Sequence, residues 1–272
     1  MKRIAVIPNY TKDSEFKYTM QLCRYLGGKA EIVMQEKDRI DGVSAEFLSG
    51  DIYEGCDAAI ILGGDGTMLQ AAEPCGKRAI PVMGINLGKV GFMTEVEKED
   101  MEAACDRLLA DDFGVEERMM MEITLAGKTY FSLNDLVVSK PDAQMVATEL
   151  YANGEKVSEY MSDGLIVATP TGSTGYSLSA GGPVADPAMR LFIATPICAH
   201  TLSARPMLMA DHKKIILKLK DRGSDSAVVS VDGVVVGKLQ KDDAVEVVRS
   251  LYTLKTIKLG KQSFYHTMMA KL

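Results

Sequence analysis

Residues 63–67 of this chain read Gly-Gly-Asp-Gly-Thr. Three glycines in four positions let backbone N–H groups approach a ligand with no Cβ in the way. The apolar run 58–62 precedes them, short and without polar alternation, as in a strand buried on both faces. Met68, Leu69, Ala71 and Ala72 follow with the spacing of a helix's buried face. The segment therefore reads strand, glycine turn, helix. A helix N-terminus behind such a turn favours an anion such as phosphate, and Gly63, Gly64, Gly66 and Thr67 are the candidate phosphate-donor loop. Asp65 stands out, because a carboxylate repels phosphate unless it binds a metal, orients a hydroxyl or takes a proton. A tight turn with aspartate as turn former accounts for Gly-Asp-Gly equally well.

A second unusual stretch spans residues 162–187, SDGLIVATPTGSTGYSLSAGGPVADP. Its strand, 165–168, runs into a segment dense in hydroxyls and glycine, then into a possible helix start at Tyr176, Leu178 and Ala180. A site that a ligand approaches closely explains this composition, and a serine-rich surface loop is the alternative. Asn134-Asp135, after another strand, reads on its own as a turn or cap.

The elements that must position these residues fall into two patterns. Up to about residue 110, strands at 3–7, 32–34, 58–62 and 80–85 alternate with helices at 13–26, 68 onward and 98–110, the first with Phe16, Met20, Cys23 and Leu26 as its stripe. Residues 35–56 are polar and weakly patterned, as in loop with some helix. This alternation implies a doubly wound parallel sheet of Rossmann type, with 63–67 and 86–92 beyond carboxyl ends of strands. Further on, short strands flank turn dipeptides: 119–125 and 129–133 around Gly127-Lys128, 148–152 and 156–160 around Asn153-Gly154, 227–231 and 234–239 around Asp232-Gly233. Residues 214–219, 244–248 and 253–259 add three more strands, and the set suggests an all-β, sandwich-like domain. The expected division is an α/β domain over 1–114 and a β-rich domain over 115–254.

Composition limits the function classes. The 272 residues are 47% hydrophobic and 25% charged, with net charge −6 and no basic tract, so nucleic acid is a poor partner. No apolar run reaches membrane-spanning length. Five scattered cysteines without a C-x-x-C pair fit reduced thiols in a cytoplasmic protein, and three dispersed histidines give no metal cluster.

Taken together, the segments 62–72, 84–96, 133–135, 162–184 and 197–209 resemble the NAD kinase family. The glycine turn is shared with lipid kinases; the long TPTGSTGYSLSAGGP stretch is far more specific. The resemblance implies phosphorylation of the adenosine-ribose 2′-hydroxyl of NAD by ATP or a similar donor, with a divalent metal, Mg²⁺. It implies Asp65 as proton acceptor. It implies NAD contacts at Asp65, Gly66, Phe92, Asn134, Asp135, Asp163, Thr174, Gly175, Tyr176, Ser177 and Ser179, with 174–179 lining the adenine pocket and no dedicated protein metal ligands. It also implies a homodimer or homotetramer, and a C-terminal segment, 255–272, that returns to the first domain. Asp135 stands where the family has Glu, Gly175 where it usually has Ala, Met161 where some members have Arg, Val234 where a polar residue is frequent and Ala199 where Pro is usual. The clustered methionines at 119–121, 207–209 and 268–269 suit adaptable contacts between subunits or filling of the monomer core. A lipid kinase and a non-catalytic NADP(H) sensor are the rival readings. The TGSTGY stretch suits a dinucleotide better than an acyl chain, and an intact Asp65 speaks against the sensor.

Overall fold

The computed structural model describes residues 1–88, 91–201, 203–241, 243–260 and 263–271. Lys89 and Val90 of the 84–96 segment, Leu202 of 197–209, and Lys261, Gln262 and Leu272 of the C-terminal segment thus lie outside the described residues. The chain forms two compact units, Met1–Glu117 with Thr253–Leu272, and Arg118–Tyr252.

The elements begin with β1 (Lys2–Pro8), α1 (Lys17–Leu26), β2 (Ala30–Gln35), β3 (Glu46–Leu48), β4 (Ala58–Gly63), α2 (Asp65–Arg78), β5 (Val82–Asn86), β6 (Val96–Glu97) and α3 (Met101–Leu109). Then come β7 (Gly114–Leu125), β8 (Lys128–Ser132), β9 (Asp135–Ser139), β10 (Val146–Ala152), β11 (Glu155–Ser162), β12 (Gly164–Ala168) and α4 (Tyr176–Ser179). The chain closes with β13 (Leu191–Ile197), β14 (Met207–Ala210), β15 (Ile215–Gly223), β16 (Ser226–Val231), β17 (Val234–Gln240), β18 (Ala244–Lys258) and α5 (Phe264–Lys271).

In the first unit, strands pair in parallel in the order β3-β2-β1-β4-β5, and β18 pairs with β5 through Thr256 and Val82. Every residue of β4 is buried, as its unbroken apolar run implies. Leu22 and Leu26 of α1 and Ala104 and Leu108 of α3 pack with Ile4, Val6, Ile60 and Ile85 in one core.

Helix α1 starts at Lys17, later than its spacing suggests, because Glu15 and Phe16 take positive φ. The Asp13 carboxylate there accepts the N–H groups of Tyr18 (2.9 Å) and Thr19 (2.8 Å) and satisfies the free helix end. The buried stripe is consequently Thr19, Leu22, Cys23 and Leu26; Phe16 and Met20 lie outside it. The weakly patterned 35–56 stretch contains the short strand β3.

The second unit is a sandwich of antiparallel sheets. One contains β11-β10-β15-β18 and the β7–β8 hairpin; the other runs β14-β13-β12-β9-β16-β17. Their inner faces share a core that includes Met121, Ile123, Leu150 and Leu217 on one side and Leu136, Val138, Val167 and Phe192 on the other. The three hairpin turns have positive φ at both central residues: Asn153-Gly154, Asp232-Gly233 and Ala126-Gly127. The last sits one residue before the expected pair, Gly127-Lys128. Residues 244–258 form one strand of 15 residues where the pattern suggests two. Strands β9, β13 and β14 were not expected. Met119, Met120 and Met121 are buried, so they fill the core of the single chain. An α/β unit built on a parallel sheet, followed by an antiparallel β sandwich, is the fold class expected from the sequence.

Candidate active site

In the first unit, the glycine turn occupies the carboxyl end of β4 and runs straight into α2. Gly64 is the extended N-cap, and no side chain caps the helix. Thr67 N–H and Met68 N–H already donate to Gly64 O (3.0 and 3.2 Å), so the N–H groups of Asp65 and Gly66 are the ones that a helix start offers to an anion. Asp65 is the first helical residue. Its carboxylate accepts the backbone N–H groups of Phe92 (2.8 Å) and Met93 (3.0 Å), which ties the helix start to the loop after β5. A Cβ on Gly91 would collide with Asp65 Oδ1, so the glycine there makes this approach possible. The structure thus brings Asp65 and Phe92 together. The Phe92 ring lies 5.9 Å from that of Phe264 on α5, with Lys271 Nζ 4.5 Å from its centroid.

Thr67 is buried, and its hydroxyl accepts from Asn9 Nδ2 at 2.7 Å. Asn9 Oδ1 accepts from Thr11 N, Thr11 Oγ1 and Lys12 N, so one amide side chain locks the turn after β1 onto α2. A Cβ on Gly64 would collide with Lys12 Nζ, and one on Gly88 would lie 3.6 Å from it. The lysine therefore stands over the glycine turn. Sequence reading missed Asn9 and Lys12, which are more than 50 residues from that turn along the chain.

The second unit assembles a different cluster. The Asp232 carboxylate accepts the Ser132 hydroxyl (2.6 Å) and the N–H groups of Leu133 (2.9 Å), Asn134 (2.8 Å) and Asp135 (3.1 Å). It is the anchor of the Asn134-Asp135 turn, a role hidden behind its reading as a hairpin residue. The Thr169 N–H donates to Asn134 O at 2.9 Å, and a Cβ on Gly175 would lie 3.8 Å from Asn134 Nδ2 and 3.9 Å from Asp135 Oδ2. The structure accordingly brings Asn134, Asp135 and Gly175 together. Asn134 Oδ1 and Thr171 Oγ1 are buried without a hydrogen-bond partner. Burial, reinforced by the Asp232 charge, pushes the Asp135 carboxyl up to about 7.

The 174–179 residues are not equivalent. Tyr176 is 47% exposed and Ser179 is exposed, while Thr174 donates to Thr171 O at 3.3 Å. Ser177 is fully buried, its hydroxyl paired with Thr195 Oγ1 at 2.9 Å. Asp163 lies apart. It precedes β12, whose Gly164 faces Ser139, whereas Ala168 at the other end faces Asp135. That separation is roughly 15 Å at the rise of a strand. Asp163 pairs there with Lys140 at 2.7 Å.

Among the described residues, no group of three His, Cys, Asp or Glu side chains is placed to hold a metal. The five cysteines are unpaired, and burial pushes the Cys23, Cys75 and Cys105 thiols up to about 12. No helix among the described residues is long and apolar enough to cross a membrane.

Known proteins resemble this chain over its whole length. The family models of the ATP-NAD kinase N-terminal domain and C-terminal domain match residues 31–113 and 133–259. The chain is 35% identical over 281 residues to an NAD kinase of Natranaerobius thermophilus, covering 100% of this chain and 98% of that one. It is 33% identical over 283 residues to an NAD kinase of Lachnoclostridium phytofermentans, covering 100% and 99%. Among solved structures it is similar to an Archaeoglobus fulgidus NAD kinase in complex with ATP (TM-score 0.78, 25% identity, 99% of this chain and 98% of that one). Yeast NADH kinase complexed with NADH shares the fold (TM-score 0.87, 21% identity, 99% and 86%). On the two family matches and the full-length relatives, the chain belongs to the NAD kinase family, phosphotransferases that act on an alcohol group of NAD.

Proposed function

We propose that in this chain Asp65 orients the 2′-hydroxyl of NAD's adenosine ribose and takes its proton as that oxygen attacks the terminal phosphorus of ATP. The observation that carries this reading is the placement of Asp65 at the first turn of α2, which no side chain caps, with its carboxylate fixed by two backbone N–H bonds. A bond forms between the ribose oxygen and the phosphorus, the bond to the bridging oxygen of ADP breaks, and the hydroxyl proton passes to the Asp65 carboxylate. A carboxylate is a weak base toward a sugar hydroxyl, so proton transfer comes late, as the new bond forms. Gly63, Gly64, Gly66 and Thr67 form the donor loop, and the α2 N-terminus supplies oriented dipoles for the transferring group.

The donor set fits Mg²⁺, which binds through one or two carboxylates and substrate phosphates and does not require an all-protein cage. The ion would come with the donor phosphates and, when bound, would offset their charge beside Asp65. For NAD, the reading assigns contacts to Gly66, Phe92, Asn134, Asp135, Thr174, Gly175, Tyr176 and Ser179. Ser177 instead holds the segment in place through Thr195. We assign Asp163, at the far end of β12, to NAD bound by a neighbouring subunit of a homodimer or homotetramer. Exposed Leu208 on β14 and Val234 and Val235 on β17, both edge strands, favour such assembly. The same reading makes the protein cytoplasmic, with neither nucleic acid nor membrane as partner.

The test offers the purified chain ATP and Mg²⁺ with NAD, NADH or diacylglycerol. NADP or NADPH is the expected product. Phosphatidate, or no product with any acceptor, would overturn the reading. Light scattering tests assembly: a fully active 29.5 kDa monomer would reject it.

A further inference from the structure

Phe92 is held at two places by two different partners. Its backbone N–H donates to Asp65 Oδ2 at 2.8 Å, beside the bond from Met93 N–H to Oδ1. Its ring lies 5.9 Å from the Phe264 ring, tilted by 45°, with Lys271 Nζ 4.5 Å from its centroid. Phe264 and Lys271 are the first and last residues of α5. One residue therefore links the carboxylate at the start of α2 to the C-terminal helix, all within the first unit.

Helix α5 is built around this contact. Phe264, Thr267, Met268 and Lys271 follow the i, i+3, i+4, i+7 spacing of one helix face. Thr267 is buried, and Phe264 and Met268 are half-buried, whereas Tyr265, His266, Met269 and Ala270 are exposed. The Ser263 hydroxyl accepts the His266 N–H at 3.1 Å and caps the start. A helix of 8 residues does not persist alone in water, so α5 owes its order to the face it docks. The loop it docks on needs a restraint. Gly91 immediately precedes Phe92, and glycine leaves its backbone freer than any other residue. The same absence of a Cβ that admits the Asp65 carboxylate also lets the Phe92 N–H swing away from it.

We infer that Phe264 and Lys271 are positioning residues for turnover: by clamping the Phe92 ring they hold the Phe92 N–H on Asp65, and with it the direction in which that carboxylate points. The inference rests on the reading of Asp65 as the base. It gives α5 a task in the rate of the reaction and not in the binding of the donor. Misplacing a reacting group by about 1 Å can cost roughly 10²-fold in rate, so a loosened clamp reads out in kcat.

The experiment uses the full chain with Phe264→Ala, Lys271→Met and Lys271→Arg, each alone and combined with Asp65→Asn. Turnover with ATP, Mg²⁺ and NAD is followed by an NADP-cycling assay, sensitive enough for the slow variants, and melting temperatures are recorded beside it. Phe264→Ala should lower kcat about tenfold and leave the KM for ATP unchanged. Lys271 is exposed, so its replacement leaves the fold intact. Lys271→Met should lower kcat about threefold, and Lys271→Arg, which keeps a cation over the ring, should restore it. In the Asp65→Asn background none of the three should change kcat further, because the group they orient is gone. Unchanged kcat in both Phe264→Ala and Lys271→Met overturns the inference. So does an effect confined to the KM for NAD, which would make the clamp a support for a ligand contact of the Phe92 ring. An equal fall in kcat with and without Asp65 also overturns it, since α5 would then be scaffold. Asp65→Asn turning over at the wild-type rate would instead sink the reading of Asp65 as the base.

Discussion

Asp65 in the first unit and Asp232 in the second both organise a turn by accepting backbone N–H groups, and the difference lies in how many. A carboxylate offers about four lone-pair sites. Asp232 takes four donors from residues 132–135, with Oδ1 accepting three of them. Asp65 takes two, one on each oxygen. The Asp232 carboxylate is saturated and serves as an anchor. The Asp65 carboxylate is held in a defined orientation with half its capacity left. Equal residue type, in comparable turns, thus yields scaffold in one place and, in the function proposed above, a reagent in the other.

The largest effect should come from the unsaturated carboxylate. Asp65→Asn keeps an oxygen for one N–H bond, so the melting temperature should move by only a few degrees. Turnover should fall by roughly 10²–10⁴, the usual share of a general base. Near-normal kcat in a folded Asp65→Asn variant would make Asp65 an anchor like Asp232 and dissolve the contrast.

Asp232→Ala attacks the other side. It leaves the Leu133, Asn134 and Asp135 N–H groups without their acceptor, each orphaned group costing about 1–3 kcal/mol. Stability measured by denaturant unfolding should drop clearly, and the KM for NAD should rise while the KM for ATP stays near its starting value. Unchanged stability would mean that the 132–135 turn does not depend on this carboxylate.

How much of this was legible in the sequence follows from range. The glycine turn and the Asn153-Gly154 and Asp232-Gly233 hairpins announce themselves, because the chemistry that shapes them lies within a few residues. The same holds for β4, whose apolar run needs no partner to be recognised. Asp232 was readable only as a turn former, since the groups it binds lie 97–100 residues earlier. Lys12 and Asn9 reach the glycine turn through the pairing of β1 with β4. The late start of α1 depends on Asp13 folding back onto Tyr18 and Thr19, which spacing does not reveal. The sequence pattern divides β18 in two because Arg249, Ser250 and Leu251 interrupt the apolar alternation, while the backbone stays extended through them.

Positions that face outward test the contrast without disturbing scaffold. Tyr176, 47% exposed, contributes little packing, so Tyr176→Ala should raise the KM for NAD strongly, leave that for ATP nearly fixed and barely move the melting temperature. A joint rise of both constants, or melting of the protein, would return Tyr176 to the scaffold. Gly66 and Gly63 make a matched pair in the other unit. A Cβ on Gly66 meets nothing within 4 Å, whereas one on Gly63 would run into Thr67. Gly66→Ala should therefore weaken donor use several-fold with stability intact, and Gly63→Ala should lose stability first. Thermal melts and donor kinetics on the two variants distinguish ligand approach from turn geometry.

The smallest effect concerns the neighbour of the saturated carboxylate. Asp135 is 6% exposed, and its carboxyl is pushed from 3.8 up to about 7, first by burial and then by the charge of Asp232. Between those values the folded state binds more protons than the unfolded chain. Stability must therefore fall as pH rises through this window, with the full penalty present above pH 7. Asp135→Asn removes the titration. The variant should match the wild type near pH 4 and exceed it in melting temperature by a few degrees near pH 8. The scale is about 1.4 kcal/mol for each tenfold change in proton affinity, discounted for partial relaxation. Asp38, pushed up to about 6 by burial, adds a dependence of the same sign in the first unit. That background cancels when wild type and Asp135→Asn are compared at each pH. A melting difference that is constant from pH 4 to pH 8 would show that Asp135 stays ionised beside Asp232. The turn would then hold two charged carboxylates, and its saturation by backbone donors would have to extend to both.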